Sequence, residues 1–299
     1  MIKVIEIIFN GLAVGAIYSL IALGFVLIFK STGILNFAQG ELVMFCAFIC
    51  YGLTVLLKVP YVLAFLITLP LGALLGVIIN LLFFRRMVGE SVFSNIMMTV
   101  GLASILTSVA GFIWGHDVYA LPSPFTNKTV ALGGAILSLG YIYTLVVSIL
   151  FVILFILFFN RSLLGIAMRG TAEDQNTAGL MGINVKRIFM MTWAIGTVVA
   201  GVAGIFLAEQ TFVRLAMSHT GIKAMSAAIL GGMNSIGGAI LGGILVGVVE
   251  NLSATYLSGM EIGNFRFGDI KDVIAFAVMI IVLMIRPHGI FGTEKIERV

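Results

Sequence analysis

NRSLLGIAMRGTAEDQNTAGLMGINVKR, residues 160–187, is the longest polar stretch in a chain that otherwise reads as apolar runs from end to end. It holds four cations, Arg161, Arg169, Lys186 and Arg187, and two adjacent acids, Glu173 and Asp174. A helix start and stop are written into it. Thr171 with Asp174 three residues later fits a capping box, in which each side chain meets an orphan amide at the helix start. Glu173 and Asp174 then fall in the first turn, where the helix dipole favours acids. Gly182 reaches the left-handed conformation without steric cost and supplies the stop. The spacing predicts a short helix over 172–181, about 15 Å long at the usual rise per residue. Such a helix, set between two membrane spans, is either a plain connection or a handle for something in the cytoplasm.

Working outward, the rest of the chain is membrane core. The 299 residues are 61% hydrophobic and 10% charged, with a mean hydropathy of +1.18. Soluble domains carry about 25% charged residues. Apolar runs of roughly 20 residues are bilayer spans. The composition therefore predicts an all-α polytopic membrane protein, a single domain over 1–299 with about eight transmembrane helices. The net charge of +4 suits positive-inside retention rather than nucleic-acid binding. Residues 4–29 are too long for the apolar core of a signal peptide and read as the first retained span. Further spans fall over 41–57, 61–84, 95–113, 138–159, 188–209 and 270–285.

Clustered cations orient these spans. Arg85 and Arg86 close the third, four more lie in 160–187, and the tail carries Arg286, Lys295 and Arg298. All three clusters fit the cytoplasmic side, which puts the C-terminus there. Lys186 and Arg187 open a span, the wrong end for cations by the dipole rule; a topology signal outweighs that preference. Residues 114–134, with Trp114, Tyr119, Pro122 and Pro124, then form an outer loop with interfacial aromatics.

Parity constrains the Gly-rich stretch 221–255, which must return to the side it starts from. Two spans with a tight inner turn satisfy this, and so does a pair of half-helices meeting in the membrane. Broken backbone at membrane depth is tolerated only where protein or a water-filled path covers it. The break at Met233-Asn234-Ser235 is therefore a candidate pathway element. For most glycines packing is the favoured reading, in small-xxx-small pairs such as Gly11/Gly15, Gly72/Gly76, Ala200/Gly204, Gly238/Gly242 and Gly243/Gly247. A second polar break, KSTGILNFAQGE at 30–41, brings Asn36, Gln39 and Glu41 within about two helical turns. An acid at mid-bilayer costs roughly 2.5–3.5 kcal/mol, so it faces protein or water. These three residues either offer partners to a polar substrate or form an ordinary turn with Glu41 at a helix start.

Other polar groups carry less. Glu209 and Glu250 sit near span ends with no cation at helical spacing, and His116, His219 and His288 take no role. Cys46 and Cys50, four apart on one helix face, read as small apolar packers; no disulfide, metal or cofactor is expected. The sequence contains no GxxxxGK[ST] and no supported catalytic triad or zinc helix. The chain is thus expected to be non-catalytic, with its energy supplied by another subunit.

Four ordered segments resemble a known family. GAIYSLIALGFVLIFKSTGILNFAQGELVMF (15–45) is similar to the opening of LivH-type permeases of bacterial branched-chain amino acid ABC importers. GIAMRGTAEDQNTAGLMGINVKRI (165–188) resembles the coupling loop of that family. AAILGGMNSIGGAILGGILVGVVENL (227–252) and IRPHGIFG (285–292) resemble its C-terminal signatures, although Arg-Gly at 169–170 and His288 depart from the commoner Arg-Ala and Gln. The resemblance implies a permease in the bacterial inner membrane, surrounded by lipid. It pairs with a second permease subunit, sits on two ATPase subunits, and receives amino acid from a periplasmic binding protein. It also implies that Arg169, Thr171, Glu173, Asp174, Leu180, Met181, Gly182 and Asn184 form the ATPase-coupling element. Asn36, Gln39, Glu41, Asn234 and Ser235 are candidates for the substrate path. Two alternatives stay open: a permease for urea or short amides, and an ion-coupled secondary transporter using Glu41 and Glu250.

Overall fold

The first apolar run forms α1 (Ile2–Thr32), which ends where Gly33 turns to φ +73° and donates its N–H to Phe29 O at 2.8 Å. The computed structural model describes residues 2–87, 89–125, 128–132, 135–257, 261–262, 265–266 and 271–292. Among these are α2 (Gln39–Tyr51), extended by a π turn (Gly52–Leu56), α3 (Tyr61–Leu82) and α4 (Val92–Trp114). After them come α5 (Leu139–Arg161), α6 (Leu163–Glu173), α7 (Gln175–Leu180) and α8 (Val185–Gln210). The chain closes with α9 (Thr220–Gly231), α10 (Ile236–Leu257) and α11 (Lys271–Ile285). Seven of these helices are long and apolar enough to cross a bilayer: α1, α2 with its π turn, α3, α4, α5, α8 and α10. The expected all-α polytopic fold is present, and the span starts shift by a few residues where caps intervene. Ser91 accepts from Ser94 N at 3.2 Å and starts α4 three residues before the expected 95.

The Gly-rich region resolves into one half-helix and one span. α9 has 12 residues, about 18 Å, too short to cross alone. α10 has 22 and crosses. The start of α9 meets the start of α2, where a Cβ on Gly221 would lie 2.5 Å from the Gly40 Cα. Gln39 packs on Gly24, eight residues before the end of α1, so this meeting point lies about 12 Å inside the bundle. From there α2 runs to one face of the bundle and α9 to the other.

Contacts assign the faces. On the basic face, Gln175 Nε2 donates to Thr32 O at 3.4 Å, joining the 160–187 segment to the end of α1. Lys30 Nζ donates to Asn234 O at 3.1 Å, and Ile290 N to Leu230 O at 2.9 Å, so the α9–α10 break and the end of α11 lie there too. On the opposite face Tyr119 and Val213 exchange backbone bonds at 2.9 and 2.8 Å, and Trp114 stacks on Phe48 at 5.3 Å. The expected outer loop is thus pinned onto α2, and part of it is a hairpin, β1 (Thr129–Leu132) with β2 (Ala135–Ser138).

α1 is the core strut, and its seam with α10 is glycine on glycine. A Cβ on Gly15 would lie 2.7 Å from Ile244 Cα, and one on Gly11 would lie 2.9 Å from Val248 Cα. Gly243 and Gly247 answer from α10 against Ser19 and Gly15. Lipid gives no hydrophobic drive between helices, so close backbone approach and interhelical hydrogen bonds hold them. Ser19 Oγ donates to Ile240 O at 2.7 Å and Asn251 Nδ2 to Ile7 O at 2.5 Å across this seam. Gly76 likewise meets Thr197, and Gly204 meets Val43, so the small-residue pairs serve packing as expected.

Candidate functional site

The 160–187 segment is two helices, not one. Ser162 accepts from Gly165 N at 2.9 Å and caps α6, a start the sequence reading missed although Ser before the apolar run 163–168 signals it. Thr171 is not a cap. It is buried within α6 and donates to Ala167 O at 2.8 Å. The expected continuous helix over 172–181 breaks at Asp174, whose extended backbone lets Oδ1 accept from Thr177 N at 2.5 Å and start α7. A capping box needs its first residue outside the helix. Apolar packing of α6 holds Thr171 inside, and the cap passes three residues on. The Thr177 bonds hold the Asp174 carboxyl below the ordinary carboxylate range.

Gly182 takes φ +85° and ends α7, as the sequence predicts. Ile183 N returns to Ala178 O at 3.0 Å, the closing bond of a tight C-terminal turn. Asn184 then accepts from Arg187 N at 3.1 Å and caps α8, which starts three residues before the expected 188. Arg169 folds back, donating to Phe159 O and, at 3.4 Å, to Asn160 O, with its guanidinium 5.6 Å over the Phe159 ring. It clamps α6 onto the end of α5. Glu173 and Asp174 stay exposed. Leu180 is 89% exposed and Met181 79%, which makes the tip of α7 an apolar knob on the basic face.

The five path candidates do not converge. Asn36 and Gln39 are buried and bonded to each other, Nδ2 to Oε1 at 3.0 Å, and Asn36 Oδ1 also accepts from Ala38 N at 3.1 Å. Gln39 Nε2 has no partner among the described residues. Glu41 is half-buried on α2, with His219 as an electrostatic neighbour from the start of α9. Asn234 and Ser235 lie beyond the other end of α9, about 18 Å away. Ser235 Oγ accepts from Gly238 N at 3.0 Å and caps α10. Asn234 borders a cavity of about 210 Å³ with Phe29, Met233 and His288.

One buried constellation escaped the sequence reading. Lys223 Nζ lies 2.8 Å from Glu250 Oε1, and Tyr18 Oη donates to Glu250 Oε2 at 2.7 Å. Lys223 and Glu250 are only 18% and 12% exposed. The pair spans 27 residues and two helices, so helical spacing could not reveal it; a lone lysine in an apolar half-helix was the available signal. Both oxygens of Glu250 are engaged, which disfavours an ion site there. On the opposite face, Glu209 lies against Tyr61 and Ser123 at a cavity of about 180 Å³ lined by Ser123, Ser138, Tyr141 and Gln210. Among the described residues no cluster of His, Cys, Asp and Glu could hold a metal ion.

Residues 7–283 match the family described as branched-chain amino acid transport system / permease component. The high-affinity branched-chain amino acid transport system permease protein BraD of Pseudomonas aeruginosa is 33% identical over 97% of this chain and 96% of its own length. The corresponding permease protein LivH of Salmonella typhimurium is 29% identical over the same shares. Among solved structures, PsaBC from Streptococcus pneumoniae, in complex with Fab, superposes with a TM-score of 0.55 over 94% of this chain and 92% of its own. At 14% identity that likeness concerns the fold alone.

Proposed function

This chain belongs to the branched-chain amino acid transport permease family, and from that premise we propose that it is the membrane-crossing subunit of an ATP-driven importer of branched-chain, hydrophobic amino acids. The observation that carries this reading is the match along nearly the whole chain to permeases of that transport class, on a bundle of seven membrane-length helices with one half-helix, α9, among them. The chain acts as one permease domain over 1–299, in the bacterial inner membrane. The cations Arg85, Arg86, Arg161, Lys186 and Arg187 orient the 160–187 segment and the C-terminus toward the cytoplasm.

Two ATPase subunits then dock on that face. Leu180 and Met181 seat in an apolar cleft of an ATPase, and Glu173 and Asp174 add fixed charge at its edge. Arg169 acts one step back, holding α6 on the end of α5, while Thr171 is buried within α6, so that α7 is rigidly presented. Gly182 and Asn184 link α7 directly to α8, most of which is buried in the bundle. A displacement of α7 on ATP binding therefore reaches the core through α8. A hinge or rocking motion of helices packed through small residues completes the switch.

A second permease subunit, the same chain or a paralogue, faces this one across the path, and a periplasmic binding protein delivers the amino acid from the opposite face. Glu41, with Asn36 and Gln39 behind it, offers polar partners at mid-depth. Asn234 and Ser235 border the cytoplasmic mouth. The chain itself performs no covalent chemistry.

Reconstitution with the cognate ATPases and binding protein tests the reading. ATP-dependent uptake of leucine, competed by isoleucine and valine, is the expected result. Uptake of urea in its place would move the chain to the amide permeases, and uptake by the chain alone on an ion gradient would make it a secondary transporter.

A further inference from the structure

Arg85 and Arg86 lie in the 3₁₀ turn that follows α3 (Phe84–Arg86), and Lys186 and Arg187 lie in the first turn of α8. Leu81, Arg85, Arg86 and Lys186 line one open cleft of about 510 Å³ on the basic face. Among the described residues none of these four cations has an acid or a hydrogen-bond partner for its side chain; the one ion pair there joins Lys223 to Glu250. The arrangement is unfavourable on its own. Like charges share a cleft, and two of them stand at a helix start, where the dipole is already positive.

The cleft is nevertheless built rigidly. Phe84 stacks on Trp193 with ring centroids 4.1 Å apart and planes 19° apart, and both side chains are fully buried. That stack fastens the turn carrying Arg85 and Arg86 to the helix carrying Lys186. Below the cations the wall turns apolar. Leu81 closes the cleft, and Ile78 and Leu82 stand exposed on the same helix. An anionic head with hydrocarbon beneath it matches this sequence of surfaces from polar to apolar.

We propose that the cleft binds an anionic phospholipid. Its phosphate sits among Arg85, Arg86 and Lys186, and an acyl chain lies along the exposed Leu81 and Leu82 edge of α3. Guanidinium groups suit phosphate because their planar fork donates two parallel hydrogen bonds. Inorganic phosphate would meet the same cations but leave the leucine edge bare. A docking protein would not need a leucine edge running down into the hydrocarbon layer. The bound lipid offsets the charge that Lys186 and Arg187 place at the start of α8, the helix that follows the α7 knob.

The test titrates phosphatidylglycerol into the delipidated full-length chain, with its co-purifying subunits, and reads bound lipid by native mass spectrometry. Wild type should bind phosphatidylglycerol and discriminate against phosphatidylcholine. R85Q/R86Q should weaken phosphatidylglycerol about 30-fold, the equivalent of about 2 kcal/mol, or ~1 kcal/mol per cation near an anionic lipid. R85K/R86K should fall between wild type and R85Q/R86Q, keeping the charge but not the parallel bonds, K186Q should lose about fivefold, and K128Q on the opposite face should lose none. Equal affinity in wild type and R85Q/R86Q would overturn the assignment. Displacement by inorganic phosphate at matched concentration would overturn it too, in favour of a free-anion site. If R85Q/R86Q fails to fold, K186Q decides on the same readout.

Discussion

Replacing Leu180 and Met181 together by alanine separates the ATPase contact from the fold. The two side chains are 89% and 79% exposed, so they contribute little to the bundle, and the substitutions should leave thermal unfolding of the isolated chain within about 0.5 kcal/mol of wild type. Docking is another matter. Each substitution removes three heavy atoms that would be buried in an ATPase cleft, about 2 kcal/mol at ~0.8 kcal/mol per buried methylene-sized group. The pair then contributes about 4 kcal/mol, and affinity for the purified ATPase should fall by two to three powers of ten. Binding can be read by titrating labelled ATPase onto the chain in nanodiscs, with leucine-stimulated ATP hydrolysis as the coupled readout. Full ATPase affinity in a well-folded double variant would refute the docking role given to α7. A loss of folding would instead refute the claim that the knob is free of the bundle.

Further outcomes follow from other contacts. The Asp174 carboxyl is held below its ordinary range by Thr177, so its support of α7 is complete above the unfolded aspartate value of about 3.9 and is lost as pH falls through the lower folded value. The protection of amides 175–177, measured against the unfolded exchange rate at the same pH, should therefore fall only in acid, and Asp174→Ala should abolish that pH dependence of protection. Removing one member of the part-buried pair, by Lys223→Met or Glu250→Gln, should destabilise the bundle by less than the roughly 3–5 kcal/mol of a fully buried pair, and the double variant should cost less than the sum; additive losses in a denaturation cycle would argue against the pairing. Gly247→Leu pushes a side chain into the Gly15 backbone and should destabilise the bundle by at least the 1–3 kcal/mol typical of overpacking, read as an earlier melting transition in detergent.

The spans were legible because a bilayer demands about 20 apolar residues whatever they pack against, and residues 61–84 and 138–159 announce themselves by length and composition. Glycine pairing was equally readable, since small residues four apart make a flat face on any helix. The breaks were harder. Whether 221–255 held two spans or half-helices depended on Gly221 meeting Gly40, a contact across 181 positions that no local pattern encodes. The capping error at Thr171 has the same origin. Thr171 and Asp174 are both good caps by type, and the burial of Thr171 within α6 decides between them. Glu250 looked like an isolated charge because its partnership with Lys223 is tertiary. The tail cations Lys295 and Arg298, used for orientation, fall outside the described residues.

The seam between α1 and α10 has a consequence for how the protein is made. Tyr18 and Glu250 are separated by 232 positions, so α1 leaves the ribosome long before its main neighbour α10. At ~5–20 residues per second that gap lasts roughly 12–46 s. During this interval the notched flank of Gly11, Gly15 and Ser19 stands in lipid or against a holding factor. Chains cut short before residue 236 never acquire the helix that fills the notch.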